Sequence, residues 1–226
     1  MLCVNSALRS VSALLAAFAL TATPALTPTA VAAAPDSAQA QCSTTYLDGD
    51  RRLGPDQLPA PGASEVGNEV AGYQRTGQET PEQFLARYYD ATANGGQGSF
   101  IYPPANGFVV NPDGSTEEIP QTLLIGTRLD RYGSEFGGFL APYGDPYGAR
   151  SIPPANLDTF DSQYPCNYHA YQVLQPFAVE AGPVAAWFAE PGGGQQYQLD
   201  GALLPGKPTG PNVKYLIDNG YLQRVN

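Results

Sequence analysis

Tyr168-His-Ala-Tyr-Gln-Val-Leu-Gln-Pro-Phe-Ala-Val179 carries the fold class of this chain in its periodicity. Tyr171, Val173, Gln175, Phe177 and Val179 recur at every second position, so one face of an extended segment is mostly apolar. That is the pattern of a half-buried strand, with Pro176, which has no N–H to give, at a sheet edge or a bulge. Working outward, the same character repeats. Upstream, 121–129 reads as a clean strand, and 100–110 as a strand broken by Pro103-Pro104 and followed by a turn at Asn111-Pro-Asp-Gly114. Downstream, 184–188 reads as a short apolar strand holding the sole tryptophan, and Gly192-Gly-Gly194 as a turn into a strand over 195–199. A short helix over Val213–Asp218 stops at Asn219-Gly220, and 221–225 returns as a strand. One longer helix is explicit at 80–90: Thr80 suits the N-cap, Pro81 the first helical position, and Gln83 closes a capping box. Its Phe84, Leu85, Tyr88 and Tyr89 share a face that packs on the domain, and Asn94-Gly95-Gly96 ends it. The fold class is α+β, mainly antiparallel β-sheet. Residues 41–120 form a helical and loop N-terminal extension, and 121–226 form the compact sheet.

Composition agrees. Gly 25 and Pro 22 are high for 226 residues and charged residues are only 14%, which favours turns and short strands over long helices. The first forty residues carry one base (Arg9), one acid (Asp36) and an apolar run over 11–20, then small residues ending Ala32-Ala33-Ala34 and Ala38-Gln39-Ala40. This reads as a secretory leader cleaved after Ala34 or Ala40. The run is too short to span a bilayer, and the residues before Cys42 do not make a lipoprotein site. A secreted, extracellular protein of about 186 residues remains, enough for one real core. Its net charge stays at −10, which repels phosphate backbones and anionic lipid, so neither nucleic acid nor a membrane is an expected partner. Past the leader only Cys42 and Cys166 remain, and two cysteines in an exported chain are expected to pair. The other reading of Cys166-x-x-His169 is a thiol nucleophile with its base. With His169 the sole histidine, the usual zinc ligands are lacking and no metal is expected. No Asn-x-Ser/Thr sequon exists, which excludes N-glycosylation.

Neither a P-loop nor a Rossmann glycine motif is present. Chemistry concentrates instead in residues 128–154, RLDRYGSEFGGFLAPYGDPYGARSIPP. Three arginines balance Asp130, Glu135 and Asp145 there, so this segment is neutral in a chain that otherwise carries the whole negative charge. Arg131 is followed by Tyr132, Phe136 and Phe139 among five glycines. A guanidinium fork suits bidentate phosphate contact, and aromatic faces suit a flat ring. The alternative is that these arginines pair with local carboxylates in a glycine-rich surface loop.

Three stretches in order also carry a resemblance. LDRYGSEFGGFLAPYGDPYGARSIPPANL (129–157), NYHAYQVLQPFAVEAG (167–182) and AAWFAEPGGGQQY (185–197) are similar to the three motifs of the tuberculosis necrotizing toxin (TNT) domain. These run Asp-Arg-Phe/Tyr-Gly-x-x-x-Gly-x-Phe/Tyr-Leu-x-Pro, Tyr-His-x-Tyr-x-Val and Pro-Gly-Gly-Gly-x-Gln-Tyr. Upstream, CSTTYLDGDRRLGP (42–55), the capped helix and YPPANGFV (102–109) resemble the N-terminal portion of fungal surface NAD glycohydrolases, which carry this domain. The resemblance implies a TNT-like NADase domain at 121–226 that cleaves NAD, and by extension NADP, into nicotinamide and ADP-ribose with no cofactor. By motif position Arg131 and Gln196 correspond to the family's essential arginine and glutamine, and both also contact the dinucleotide. Tyr132 and Phe139 match rings lining the nicotinamide pocket, and His169 matches the histidine of the second motif. Tyr132 stands where phenylalanine is common, which keeps a ring for stacking. Fungal members are homodimers with a calcium site near the C-terminus; this chain runs to Asn226 without an acidic tail, a departure that counts against calcium.

Alternation over 195–199 puts Gln196 and Gln198 on one face and Gln195, Tyr197 and Leu199 on the other. Gln196 is therefore expected at the cleft and Gln195 away from it. Two rival functions remain at this point. One is an ADP-ribosyltransferase using the same site, although the third motif region lacks a Glu/Gln-x-Glu triplet; the other is a non-catalytic secreted binding module.

Overall fold

The computed structural model describes residues 40–226, so the leader, apart from Ala40, lies outside the described residues. In chain order the elements are α1 (Glu65–Glu69), α2 (Pro81–Tyr88), β1 (Tyr89–Asp90), α3 (Ala93–Gly96), β2 (Ser99–Phe100), β3 (Ile119–Leu123), β4 (Arg128–Tyr132), β5 (Phe139–Pro142), β6 (Tyr168–Val173), β7 (Phe177–Pro183), β8 (Gln195–Gln198), α4 (Val213–Asp218) and β9 (Leu222–Arg224). Seven strands form one sheet of order β3-β7-β8-β5-β4-β6-β9, with every pairing antiparallel. The α+β class stands as read.

α2 has the expected cap: Gln83 N–H donates to the Thr80 hydroxyl, and Thr80 N–H donates to the Gln83 side chain. It ends at Tyr88 rather than at residue 90, because Tyr89 and Asp90 leave to pair with Phe100 and Ser99. Phe84 and Tyr88 bury the apolar face beside Leu53 and Phe188. The turn at Asn111–Gly114 also forms, closed by Gly114 N–H to Asn111 O at 2.9 Å.

Three expected strands come out differently. Residues 121–129 divide into the end of β3 and the start of β4, because Gly126 takes φ +87° and turns the chain. Residues 184–188 keep only isolated bridges, Val184 to Phe108 and Trp187 to Glu190, the latter closing a tight turn with Phe188 and Ala189 at positive φ. Beyond β2, residues 100–110 run as a loop with Ala105, Asn106 and Gly107 at positive φ.

The alternating stretch 168–179 is two strands, β6 and β7, that lie four positions apart in the sheet. Pro176 sits in the break between them, where no ladder N–H is required. Val173 to Phe177 is four Cα steps, at most roughly 14 Å, whereas four strand spacings across a flat sheet would be about 19 Å. The sheet therefore folds over on itself. Residues 124–127 link β3 to β4 over the same four positions, and the two links touch: Gly126 N–H donates to Val173 O and Val173 N–H to Thr127 O, each at 2.9 Å. Inside the fold-over lies a core of Leu129, Leu140, Tyr171, Val173, Val179, Tyr197 and Leu216 with their neighbours. A second core, holding Tyr132, Tyr147, Leu157 and Tyr168, joins the sheet to Val66 and Val70 of the N-terminal portion.

That second core contains the expected Cys42–Cys166 disulfide, which spans 124 positions of chain. In the chain-entropy description, a closed loop this long stabilises by roughly 4–5 kcal/mol. Replacing both cysteines by serine should lower the unfolding free energy in denaturant by about that much. An unchanged midpoint and slope would mean that the bridge constrains nothing.

Candidate active site

A cavity of about 440 Å³ opens beside β4, β5 and β8. Its apolar wall includes Tyr102, Pro103, Leu140, Ala141, Ile152 and Val184, and its polar groups include Asn106, Asp130, Arg131, Arg150, Gln195 and Gln196. Alternation along β4 sends Asp130 and Tyr132 to one face and Leu129 and Arg131 to the other. The two faces have different chemistry.

Asp130 is fully buried and belongs to an ionic cluster. Arg150 donates one nitrogen to Asp130 and the other to Glu69, at 2.9 Å for Glu69, and also reaches the Asp145 carbonyl. The Tyr132 hydroxyl donates to Glu69 at 2.8 Å, and the Tyr168 hydroxyl lies within reach of both carboxylates. Two carboxylates thus share one guanidinium. Burial, opposed by Arg150 and reinforced by Asp130, raises the Glu69 carboxyl to about 8. Glu69 comes from α1, some sixty residues upstream, and neither it nor the role of Arg150 was legible in sequence.

Arg131 is different. Its Nε donates to Gly133 O at 3.1 Å and Nη1 to Phe139 O at 2.6 Å, and among the described residues it forms no ion pair. Burial pushes the guanidinium below its usual range, so an anionic partner would be favourable there. The alternative of arginines paired with local carboxylates holds for Arg150 with Asp130 but not for Arg131: Glu135 goes to Arg224, and Arg128 lies over the Tyr143 ring. Gly137 makes room for Arg131. A Cβ at that position would sit 2.3 Å from Arg131 Nη2.

Gln196 lines the cavity, and its Nε2 donates to Asn106 O at 3.1 Å. A carbonyl can only accept, so this bond orients the amide and leaves Oε1 free to accept from a ligand. Tyr197 and Leu199 are buried in the core, in accord with the expected face. Gln195 lines the cavity as well, against the expectation that it turns away; it stands at the strand's first position, just past the glycine turn.

Phe139 lines the cavity and is 39% exposed. Tyr132 contributes to the same wall, but its ring is packed edge-on against Tyr147 and its hydroxyl is committed to Glu69. His169, expected at the ligand, is not among the lining residues. Its ring packs at a tilt against Tyr164 and lies parallel to Tyr171, with Nδ1 3.9 Å from Glu135, and burial holds it below its ordinary range. The thiol-nucleophile reading of Cys166-x-x-His169 falls with the disulfide. Tyr102, Asn106 and Gly107 enter the wall from the N-terminal loop; the YPPANGFV stretch was the signal that could have named them.

Comparison with known proteins adds the following. A family profile described as tuberculosis necrotizing toxin, TNT, matches residues 122–225. The chain is 47% identical over 186 residues, 80% of its own length and 72% of the relative's, to the conidial surface nicotinamide adenine dinucleotide glycohydrolase nadA of Aspergillus fumigatus. Among solved structures, the tuberculosis necrotizing toxin complexed with its immunity factor matches with TM-score 0.51 and 22% identity, over 84% of this chain and 87% of that one, a likeness of fold.

The ionic cluster has a pH signature. The folded Glu69 pKa, about 8, lies above its ordinary 4.5, so its contribution to stability is complete at low pH and is lost as pH rises through about 8. Glu190 and Asp158, raised by burial to about 7 and 6, act in the same direction at lower pH. Between pH 7 and 9 most of the remaining loss is that of Glu69, with the tail of Glu190 at the lower end. Thermal unfolding should show a Tm that declines across this interval, and Glu69→Gln should flatten the decline. Identical profiles for both proteins would refute the assignment.

Proposed function

The chain belongs to the tuberculosis necrotizing toxin domain family, and from that membership we propose an NAD glycohydrolase, which splits the nicotinamide–ribose bond to give nicotinamide and ADP-ribose. The observation that carries this reading is Arg131: a half-buried guanidinium that forms no ion pair among the described residues, on the wall of a largely apolar cavity in an acidic protein. A dinucleotide supplies both complements, a pyrophosphate for the cation and a flat pyridinium for the apolar wall.

The chemistry asks little of proton donors. The pyridinium leaves as neutral nicotinamide, taking the bonding electrons, so no general acid is needed. A ribosyl cation develops at the anomeric carbon, water adds to it, and the water's proton passes to solvent. The protein's task is to hold and orient. Arg131 grips the pyrophosphate. Gln196, its amide oriented by Asn106, presents Oε1 to a ribose hydroxyl or the attacking water. Phe139 and Tyr132 bound the slot for the ring, with Tyr132 acting as a fixed wall because its hydroxyl is already committed. Neither cofactor nor metal enters this scheme. NADP as a second substrate, a homodimer, the boundary near residue 120 and secretion to the extracellular space belong to the same proposal; the disulfide supports an oxidising compartment.

Incubating the protein with NAD and following nicotinamide tests the reading. Release without an acceptor is expected; release only with a protein acceptor would make it a transferase, and none would leave a binding module. Arg131→Ala should cost roughly 1.5–3 kcal/mol in kcat/KM and leave the fold intact. Gly137→Ala should give a milder loss, because the atoms a methyl group meets are the end of the Arg131 side chain, which can move. Normal turnover in both at subsaturating NAD would remove Arg131 from the site. Gln196→Ala should lower turnover at least ~10²-fold and Gln195→Ala much less; the reverse order would exchange their roles.

A further inference from the structure

Arg131 is held by a loop, and that loop is fastened from outside the cavity. Both its carbonyl partners, Gly133 O and Phe139 O, lie at the ends of residues 133–139, and the guanidinium rests on Gly137 between them. The loop bonds to α4: Val213 N–H donates to Gly137 O at 3.0 Å and Lys214 N–H to Glu135 O at 2.9 Å. These are N–H groups of a helix's first turn, which have no partner within the helix. Leu199 N–H donates to Gly138 O at 2.8 Å and Gly133 N–H to Asn167 O at 2.9 Å, and to these backbone ties the Glu135 side chain adds another. It points away from the cavity, accepts from the Tyr171 hydroxyl at 3.1 Å and from Arg224 Nε at 2.7 Å, and meets Arg224 Nη2 through its second oxygen. His169 Nδ1, which has no hydrogen-bond partner, lies 3.9 Å off. The carboxylate is mostly buried at 12% side-chain exposure, and the fork from Arg224 is bidentate.

Resting on the glycohydrolase reading, we propose that Glu135, clamped by Arg224 and Tyr171, is a positioning residue that sets the register of the 133–139 loop and so the place of the Arg131 guanidinium against the substrate pyrophosphate. Glu135 does not line the cavity, so it is not a stabiliser of the ribosyl cation. Its negative charge also opposes the effect of burial on the Arg131 guanidinium. Burial would raise the Glu135 carboxyl, but Arg224 and Tyr171 outweigh it and keep it ionised. On this proposal, the family histidine at 169 acts through the same cluster, on the side of the loop away from ligand.

The effect should be confined to phosphate-bearing substrate. Glu135→Gln and Arg224→Ala should each raise KM for NAD about tenfold, a displacement of the guanidinium by a fraction of an ångström to an ångström, while kcat changes less. The double variant should be no worse than either alone, because one unit is being broken. Arg224→Lys, which restores the charge, should recover part of the loss. Nicotinamide riboside has the same scissile bond and no pyrophosphate, so its hydrolysis should be unaffected by either change. Equal losses on NAD and the riboside, additive losses in the double variant, or an unchanged KM would overturn the proposal. If Glu135→Gln does not fold, the Arg224 pair decides alone. Absence of NAD cleavage by the unmodified protein would instead overturn the glycohydrolase reading, and an Arg131→Ala variant with normal KM would overturn Arg131 as the pyrophosphate ligand.

Discussion

Two carboxylates bound to one arginine organise the rest. Asp130 precedes Arg131 in the chain, and if it were free it would be the first anion that guanidinium met. Strand alternation turns it to the opposite face, where Arg150 and Glu69 take it up with the hydroxyls of Tyr132 and Tyr168. Such clusters add little net stability when compared with an apolar replacement, but removing one member leaves a buried charge uncompensated. Here the cluster links α1, β4, β6 and the turn after β5. Asp130 still lines the cavity, but its charge is taken up there by Arg150 and not by Arg131. Glu135 is taken up in the same way by Arg224. An acidic protein that must keep one cation available has to pair its nearby anions with other cations, here Arg150 and Arg224.

How far this was legible in sequence depended on the range of each signal. The capping box of α2 is read within four residues and formed as written. The alternation of 168–179 correctly gave extended antiparallel structure, yet periodicity says nothing about which neighbour a strand chooses. Pro176 marked the point where the chain leaves one side of the sheet for the other, and the fold-over follows from chain reach rather than from pattern. Gly126 was the equivalent mark in 121–129. The neutral charge of 128–154 drew attention to the correct segment, but which arginine is free depends on Glu69 and Arg224, each distant in sequence. His169 was read from a motif position, and packing between aromatic rings keeps it from the cavity.

The family profile begins at residue 122, but the cavity does not. Tyr102, Pro103, Asn106 and Gly107 are part of its wall, and Asn106 supplies the carbonyl that orients Gln196. The positive φ of Ala105, Asn106 and Gly107 brings that carbonyl inward. The N-terminal portion is thus structurally part of the site, in keeping with a likeness to the Aspergillus relative that runs well beyond the profile.

The bridge between Cys42 and Cys166 divides the cavity's residues topologically. Tyr102, Asn106, Arg131 and Phe139 lie within the covalent ring it closes, and Gln196 lies beyond it on the tail. A protease that cuts an exposed turn inside the ring, such as Asn111–Gly114, opens a circle without releasing a fragment, and both ends stay attached to the sheet. A cut in the tail between Cys166 and Gln196 has no such safeguard, since only non-covalent strand pairing would then retain β8. The ring therefore makes most of the cavity wall tolerant of nicking and leaves Val184 and the two glutamines dependent on the sheet.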